Sequence, residues 1–262
     1  MKLMLKKLGV IFVILSAFLI AGEVYAGVGV SPTITEITVP ANRVTKGVFT
    51  VVNSENETLR VTVEPEDWLK LRTGVSGIPL EKWLTIKPME FDIEPQGVKK
   101  VEYAISPPRG YEGELIAMIF FASAVPTEGA FEITSRFGVS IYASVEGTIT
   151  LACNLDNIKV NKTDKGVIFS FDLENQGNTH IRPTGDIVIT GEDGRKYVTN
   201  IERGFPVYPG SKLNYAVKWK NENPSPGRYD AHITLDYGKI YNEDKKLEKE
   251  VSFTVAEDGS VY

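Results

Sequence analysis

The sequence contains very little cysteine and histidine. Cys153 is the only cysteine, and His180 and His232 are the only histidines. A single cysteine cannot form an internal disulfide, and a structural zinc site needs a cluster of cysteine and histidine ligands. We therefore expect burial of apolar side chains to stabilise the fold. Cys153 itself is expected to be a small buried side chain rather than a reactive thiol.

Sequence motifs for common chemistries are also missing. The chain has no nucleophile elbow, no phosphate-binding glycine loop, no dinucleotide fingerprint and no calcium loop. Carboxylates are numerous, and paired carboxylates can hydrolyse sugars. However, charge on turns and edge strands also keeps a β protein soluble. We expect no catalytic, metal-binding or cofactor-binding residues, with a carbohydrate-active enzyme as a minor alternative.

A long apolar run occurs only near the N-terminus. Three lysines lie among the first seven residues, residues 8–22 carry no charge, and Val24-Tyr25-Ala26 follows. This order is typical of a secretory signal peptide. We predict cleavage after Ala26 and a periplasmic or cell-surface protein without a transmembrane segment. An uncleaved membrane anchor is the alternative, although the run is short for a span of about 20 residues.

The chain also lacks an excess of basic charge. Removing residues 1–26 would take away three lysines and one glutamate, which changes the net charge from −5 to −7. Nucleic-acid-binding proteins usually present a basic surface. A nucleic acid is therefore not expected as a partner.

No stretch after Gly27 has the apolar period of a helix. Short runs rich in Val, Ile, Thr, Tyr and Phe alternate instead with turn residues, as is typical of strands. Seven candidate strands lie within residues 28–145, including one over 28–39 and one over 58–68, and seven more lie within 154–255. We predict an all-β protein with two immunoglobulin-like β-sandwich domains in tandem, residues 27–150 and 151–262. Trp83 and Trp219 are expected to lie in the cores of these sandwiches, whereas Trp68, which lies beside charged residues, is expected to be exposed.

One of these runs, "FEITSRFGVSIYASV" at residues 131–145, is unusually long. Its odd positions are mostly apolar and its even positions mostly polar. Side chains on a strand alternate between two faces, and a typical strand has only about 5–6 residues. Two interpretations are open: either the strand has two different neighbours along its length, or it seals the core of a sandwich.

Three segments of the first half share a recognisable order of strands and prolines. They are "VSPTITEITV", "GVFTVVNSENETLRVTVEPEDW" and "WLTIKPMEFDIEPQGVKKVEYAISPP". Together they resemble the N-terminal domain of PapD-like periplasmic pilus-assembly chaperones. The resemblance implies a non-enzymatic exported protein that lends a strand to a client, which would be a pilus or surface subunit. The lent strand would be the 131–145 run. Residues 131–135 would point into the client, and residues 137–145 would face the protein's own core.

The resemblance also implies candidate site residues. The partner-binding row consists of Phe131, Ile133, Ser135, Phe137 and Val139. The family anchors the client's terminal carboxylate with an arginine on the first strand and a lysine on the last.

The corresponding positions in this chain carry no basic residue. They lie among Thr33, Thr35 and Glu36 and near Ser140. Arg43 and Arg136 are the possible substitutes for the missing anchor.

Two other functions remain open from the sequence. The chain could be a structural or adhesive immunoglobulin-like module at the cell surface that binds a cell-wall component. An exposed edge strand with an apolar row could also pair with a second copy and form a homodimer. No cofactor is expected for any of these functions.

Overall fold

The computed structural model describes residues 27–75, 77–125, 133–221 and 224–262, and the regular secondary structure of these residues is almost entirely β-strand. The all-β prediction is therefore confirmed. The predicted signal peptide, residues 1–26, lies outside the described residues. None of the helices in the described part of the chain is long and apolar enough to cross a membrane.

The first sandwich contains nine strands in two sheets. The strands are β1 (Val28–Ser31), β2 (Ile34–Val39), β3 (Thr45–Asn53), β4 (Leu59–Glu66), β5 (Leu84–Lys87), β6 (Glu90–Ile93), β7 (Val98–Ile105), β8 (Glu114–Val125) and β9 (Ile133–Val145). One sheet has the order β1-β3-β7-β5 and the other the order β2-β9-β8-β4-β6. The opening segment thus contributes one strand to each sheet, and it changes sheet at Pro32, which has no backbone N–H to donate.

A short helix interrupts this sandwich where the sequence analysis expected the end of a strand. Strand β4 stops at Glu66, and helix α1 runs over Trp68–Thr73. The Asp67 side chain accepts a hydrogen bond from the Lys70 N–H at 3.0 Å and so caps the helix. Gly74 ends it with φ 76°, a left-handed conformation that suits glycine. The helix has fewer than two turns, too few for an apolar period to be visible in the sequence. A one-turn 3₁₀ helix follows at Leu80–Lys82.

The second sandwich contains seven strands in two sheets. The strands are β10 (Cys153–Thr163), β11 (Gly166–Asn175), β12 (Thr184–Gly191), β13 (Lys196–Ile201), β14 (Lys212–Lys218), β15 (Gly227–Asp236) and β16 (Lys246–Val255). The sheets have the orders β10-β11-β14 and β13-β12-β15-β16. A 3₁₀ helix, Lys239–Tyr241, lies between the last two strands. All pairings in both sheets are antiparallel.

Each sandwich has its own apolar core. The first core draws on residues between 28 and 145 and the second on residues between 155 and 255. The alternation of apolar residues buries one face of each sheet, and each fully buried Val, Leu, Ile or Phe contributes roughly 1.5–3 kcal/mol. Trp83 and Trp219, both predicted to be core residues, are 3% and 1% exposed. The exact domain bounds, 27–150 and 151–262, stay a prediction.

Cys153 packs at the border of the second core. Its side chain is partly buried, and burial raises the pKa of its thiol to about 12. The thiol is therefore protonated at neutral pH, and a protonated thiol is a poor nucleophile.

The connection between the sandwiches is held by the loop after β11. The backbone N–H groups of Gln176 and Gly177 donate to the Ala152 carbonyl at 2.9 and 3.1 Å, and that of Asn178 donates to the Thr150 carbonyl at 3.1 Å. A Cβ at Gly177 would lie 2.3 Å from the Thr150 oxygen. Only glycine allows this close approach, so the loop and the connection are locked together.

Candidate functional site

Strand β9 is the longest strand in the described part of the chain, and its two edges differ. One edge pairs with β8 from Ile133 to Ser144. The other pairs with β2 only from Ser140 to Val145, in parallel. Within the part of the chain that the structure describes, no strand pairs with residues 133–139 on that second edge. We call residues 133–139 the open edge of β9.

The hydrogen bonds farther along the strand show which backbone N–H and C=O groups point toward the open edge. The N–H groups of Ser140 and Glu146 donate to carbonyls on the β2 side, Thr33 at 3.1 Å and Val39 at 2.9 Å. Val145 N–H donates at 2.9 Å to Gly113, on the β8 side. Backbone groups alternate between the two sides of a strand. The N–H and C=O groups of residues 134, 136 and 138 therefore point away from β8 and toward the open edge.

The side chains of the predicted partner-binding row have different environments. Phe131 lies outside the described residues, and Ile133 begins β9. Ser135 and Phe137 are half-buried, and Phe137 packs against the first core. Val139 is 0% exposed, so its side chain belongs to the core and is not available to a partner. Ser135 and Phe137 are therefore the members of the row with accessible side chains in the described part of the chain.

Arg136 points to the outer face of the sheet rather than to a cleft. Its guanidinium bonds to Glu64 and Glu66 of β4 at 2.7 and 2.8 Å and lies 4.1 Å from the centre of the Phe120 ring. Arg43 is exposed in the turn between β2 and β3. Neither arginine belongs to the charged cluster described next, so the two proposed substitutes for a carboxylate anchor are not brought together.

A buried histidine–carboxylate pair connects the two sandwiches in the cleft between them. Glu114 begins β8, and His180 lies in the loop after β11; both side chains are 1% exposed. The His180 Nδ1 lies 2.8 and 3.0 Å from the two carboxylate oxygens of Glu114, and the His180 backbone N–H donates to the same carboxylate at 2.9 Å. Ser144 of β9 donates a further bond at 3.2 Å. The buried carboxylate is thus well satisfied, as a buried charge must be.

Glu36 of β2 forms the outer part of the same cluster. Its Oε1 lies 3.5 Å from His180 Nε2, 3.4 Å from Arg182 Nε and 3.1 Å from an Arg203 terminal nitrogen. His180 chiefly, and then Arg203 and Arg182, outweigh the effect of burial and lower the pKa of Glu36 to about 2. All three cationic groups come from the second sandwich, whereas both carboxylates come from the first.

The ionisation of His180 reflects two opposing influences. Burial lowers the pKa of the ring, but hydrogen bonding to Glu114 and the nearby Glu36 carboxylate more than offset it, and the net pKa is raised above 6.5. The ring also stacks on Tyr142 of β9 with centroids 4.1 Å apart. The Tyr241 hydroxyl donates to the His180 carbonyl at 3.0 Å and contacts Thr179.

Aromatic and backbone contacts surround this cluster. The Trp68 indole N–H donates to the Tyr208 hydroxyl at 2.7 Å, which in turn lies 3.3 Å from the Tyr142 hydroxyl. Trp68 was the tryptophan expected to be exposed, yet it packs between the sandwiches because helix α1 turns it toward the second one. The Glu114 N–H also donates to the Asn178 carbonyl at 3.1 Å. The cleft is therefore a packed interface and not an open hinge.

Sequence reasoning missed the cluster of Glu36, Glu114, His180, Arg182 and Arg203. Glu36 lies on β2, in the opening segment of the chain, among the positions where the resemblance implies a basic residue. An acidic residue at a place where a basic one is expected was the one signal available in the sequence, because a partly buried carboxylate needs cations near it. The partners themselves are as far as 167 residues apart in sequence, and no local pattern connects them.

Comparison with known proteins agrees with this architecture. No protein-family model and no curated protein sequence matches the chain. Among solved structures, the Class 5 fimbriae chaperone CfaA matches with 12% identity and a TM-score of 0.50, covering 86% of this chain and 98% of CfaA. A chain in a chaperone–tip adhesin complex of CFA/I fimbriae biogenesis matches with 13% identity, the same coverage and a TM-score of 0.50. The YadV chaperone matches with 13% identity and a TM-score of 0.45 over 87% of this chain and 100% of its own. At these identities the likeness concerns the fold, and the chain has the fold of PapD-like fimbrial chaperones.

Proposed function

We propose that the protein is an exported, non-enzymatic, chaperone-like binding protein that holds a secreted or surface subunit by strand addition at the open edge of β9. The observation that carries the proposal is the difference between the two edges of this strand. Strand β2 covers only Ser140–Val145, which leaves backbone donors and acceptors at 134, 136 and 138 directed toward a possible partner. An added strand pairs with such a row of unpaired backbone groups.

The place of the open edge supports a client rather than a random contact. A strand added there would lie end to end with β2 and extend the five-stranded sheet. Its inward side chains would meet the half-buried Ser135 and Phe137, next to the first core. One of the structures with the same fold is a chaperone–tip adhesin complex, which supports an exported subunit as the client.

The charges of the cleft modify this proposal. The cations Arg182 and Arg203 already face Glu36, so their charges are compensated within this chain rather than free for a client's terminal carboxylate. The proposed grip therefore relies on backbone pairing and apolar contact. Salt should weaken it little, because backbone pairing involves no net charge.

The test combines cross-linking with a proline substitution. A photo-reactive residue is placed at Ser135 in the native host, and adducts are identified by mass spectrometry. We expect an adduct with one exported protein, since Ser135 lies beside the open edge. Arg136→Pro should abolish it, because proline removes the N–H that faces the partner. Arg136→Ala is the matched control: it loses the same ion pairs but keeps the N–H, and should keep the adduct.

A second labelling position serves as a negative control. A photo-reactive residue at Lys100, which is exposed on the opposite sheet, should give no adduct with the same protein, and an adduct there would contradict the proposal. Adducts with only a second copy of the chain would indicate an edge-paired homodimer. Binding to cell-wall preparations that Arg136→Pro leaves unchanged would favour the surface-module function.

A further inference from the structure

His180 is the only histidine that lies between the sandwiches. The other histidine, His232, is 40% exposed on the second sandwich and faces Glu248 and Glu250 at 3.7 and 3.4 Å. His180 in contrast is 1% exposed and has a carboxylate of the first sandwich at each ring nitrogen. A histidine in such a position changes charge in the physiological pH range and can bias the contact between two bodies.

The hydrogen-bonding capacity of the ring depends on its proton. A protonated imidazole carries an N–H on both nitrogens, whereas the neutral ring has one N–H and one lone pair. Nδ1 makes the short contacts to Glu114, and Nε2 faces Glu36 at 3.5 Å, too long for a good hydrogen bond but close for an ion pair. In the neutral ring with the proton on Nδ1, the Nε2 lone pair would face the Glu36 carboxylate. The contact would change from attraction to repulsion.

The groups around the ring decide how strongly this change acts. Besides the two carboxylates, Arg182 lies on the same loop, Tyr142 stacks on the ring from β9, and the Tyr241 hydroxyl lies 3.5 Å from Nδ1. Burial and the hydroxyl's neighbours raise the pKa of both tyrosines, so they stay neutral. Deprotonation of His180 would leave Glu114 buried without its cation, a costly arrangement.

Relief of that cost requires movement between the sandwiches. His180 belongs to the loop that docks on Glu114 through the Asn178 carbonyl, and both carboxylates belong to the other sandwich. A small polar cavity of about 160 Å³ lies beside the cluster, lined in part by Glu36, Glu114 and His180. This cavity is already partly open to solvent, so separation of the loop from β8 would widen it and hydrate the unpaired carboxylate.

We propose that His180 is a proton-dependent latch between the two sandwiches, closed while the ring is protonated and released when the ring loses its proton. The latch does not depend on the proposed client, because all its parts belong to this chain. The pH range in which the latch is closed follows from the pKa shifts of His180 and Glu36. The contribution of His180 to the stability of the closed latch is complete below pH 6.5 and is lost as pH rises through the raised pKa of the ring. The contribution of Glu36 is complete above pH 4.5 and is lost as pH falls toward the lowered pKa of about 2.

The test measures the distance between the sandwiches as a function of pH. Spin labels are attached in the full chain at Lys100→Cys and Lys249→Cys, one exposed site on each sandwich, with Cys153→Ala to avoid a third label. Imidazole NMR signals report the protonation of each histidine in the same samples. As the His180 signal titrates, the distance distribution should shift and broaden. His232→Asn, which removes only the surface histidine, should leave this transition unchanged.

A second variant isolates the proton itself. His180→Asn cannot be protonated, so its distance distribution should show no transition between about pH 6 and about pH 9. If this variant does not fold, the titration of the wild-type chain still decides. A distance distribution that stays constant while His180 loses its proton would overturn the latch, as would a His180 ring that is already neutral near pH 6. Neither result would bear on whether β9 binds a client.

Discussion

The two halves of β9 carry the same alternation of side chains but have different neighbours. In the second half, Ile141, Ala143 and Val145 are 0% exposed, and the backbone pairs with strands on both sides. In the first half, Ser135 and Phe137 are only half-buried, and one edge is open. Alternation thus specifies which face of a strand turns inward, whereas the neighbours along its edges depend on where another segment of the chain ends. The open half is where we propose a partner binds.

The largest loss of stability is expected for substitutions in the half of β9 that is paired on both edges. Ile141→Ala should lower the free energy of unfolding by about 2–5 kcal/mol, because it leaves a cavity in a close-packed core. Phe137→Ala, at a half-buried position of the same face, should cost about 1–2 kcal/mol because less apolar surface is lost from burial. Denaturant unfolding measures both. A larger loss for Phe137→Ala than for Ile141→Ala would mean that the open half is the better-packed one.

Proline substitutions directly test whether the backbone of β9 is hydrogen-bonded along the edge that β2 only partly covers. Ser140→Pro removes the N–H that donates to Thr33 and should cost about 2–3 kcal/mol, because a ladder hydrogen bond is lost and the proline ring must fit at a buried position of the strand. Arg136→Pro removes an N–H that faces the open edge and should cost clearly less, with Arg136→Ala giving the share due to the lost ion pairs. Equal costs for the two proline variants, measured by denaturant unfolding, would show that the edge at Arg136 is covered too.

The smallest expected effect concerns the side of β9 that faces the second sandwich. Tyr142→Phe removes the hydroxyl that lies 3.3 Å from the Tyr208 hydroxyl, and should cost about 0.5–1.5 kcal/mol. Tyr103→Phe is a matched control, since its hydroxyl makes no hydrogen bond among the described residues and its ring is also buried. Thermal unfolding of the two variants should differ by the value of this interdomain bond. No difference would mean that the cleft is held without it.

Much of the fold could be predicted because strand signals are local. Alternating Val, Ile and Phe residues and intervening turns indicated all-β sandwiches, and the buried Trp83 and Trp219 followed from the same pattern. Helix α1 was missed because it is shorter than two turns, and the split of residues 28–39 into β1 and β2 was missed because both parts alternate alike. The orientation of Trp68 followed from that missed helix.

The candidate site could be predicted only in part. The alternating row on β9 was visible in the sequence, but the open edge was not, because it depends on β2 beginning to pair at Ser140. Arg136 was selected by its closeness in sequence, yet its side chain crosses the outer face of the sheet to Glu64 and Glu66. Side chains alternate between the two faces of a strand, so Arg136 lies on the face opposite to that of its neighbours Ser135 and Phe137.

The sequence by itself determined the strand content, the two-sandwich architecture and the apolar face of β9, since these depend on side chains close together along the chain. Only the tertiary structure decided which half of β9 is open and which charged groups meet in the cleft. Glu36, Glu114 and His180 come from three separate elements, and their ionisation depends on burial and on distances of 2.8–3.5 Å. Such distances arise only when the sandwiches are packed together, and for that reason the latch could not be read from the order of residues.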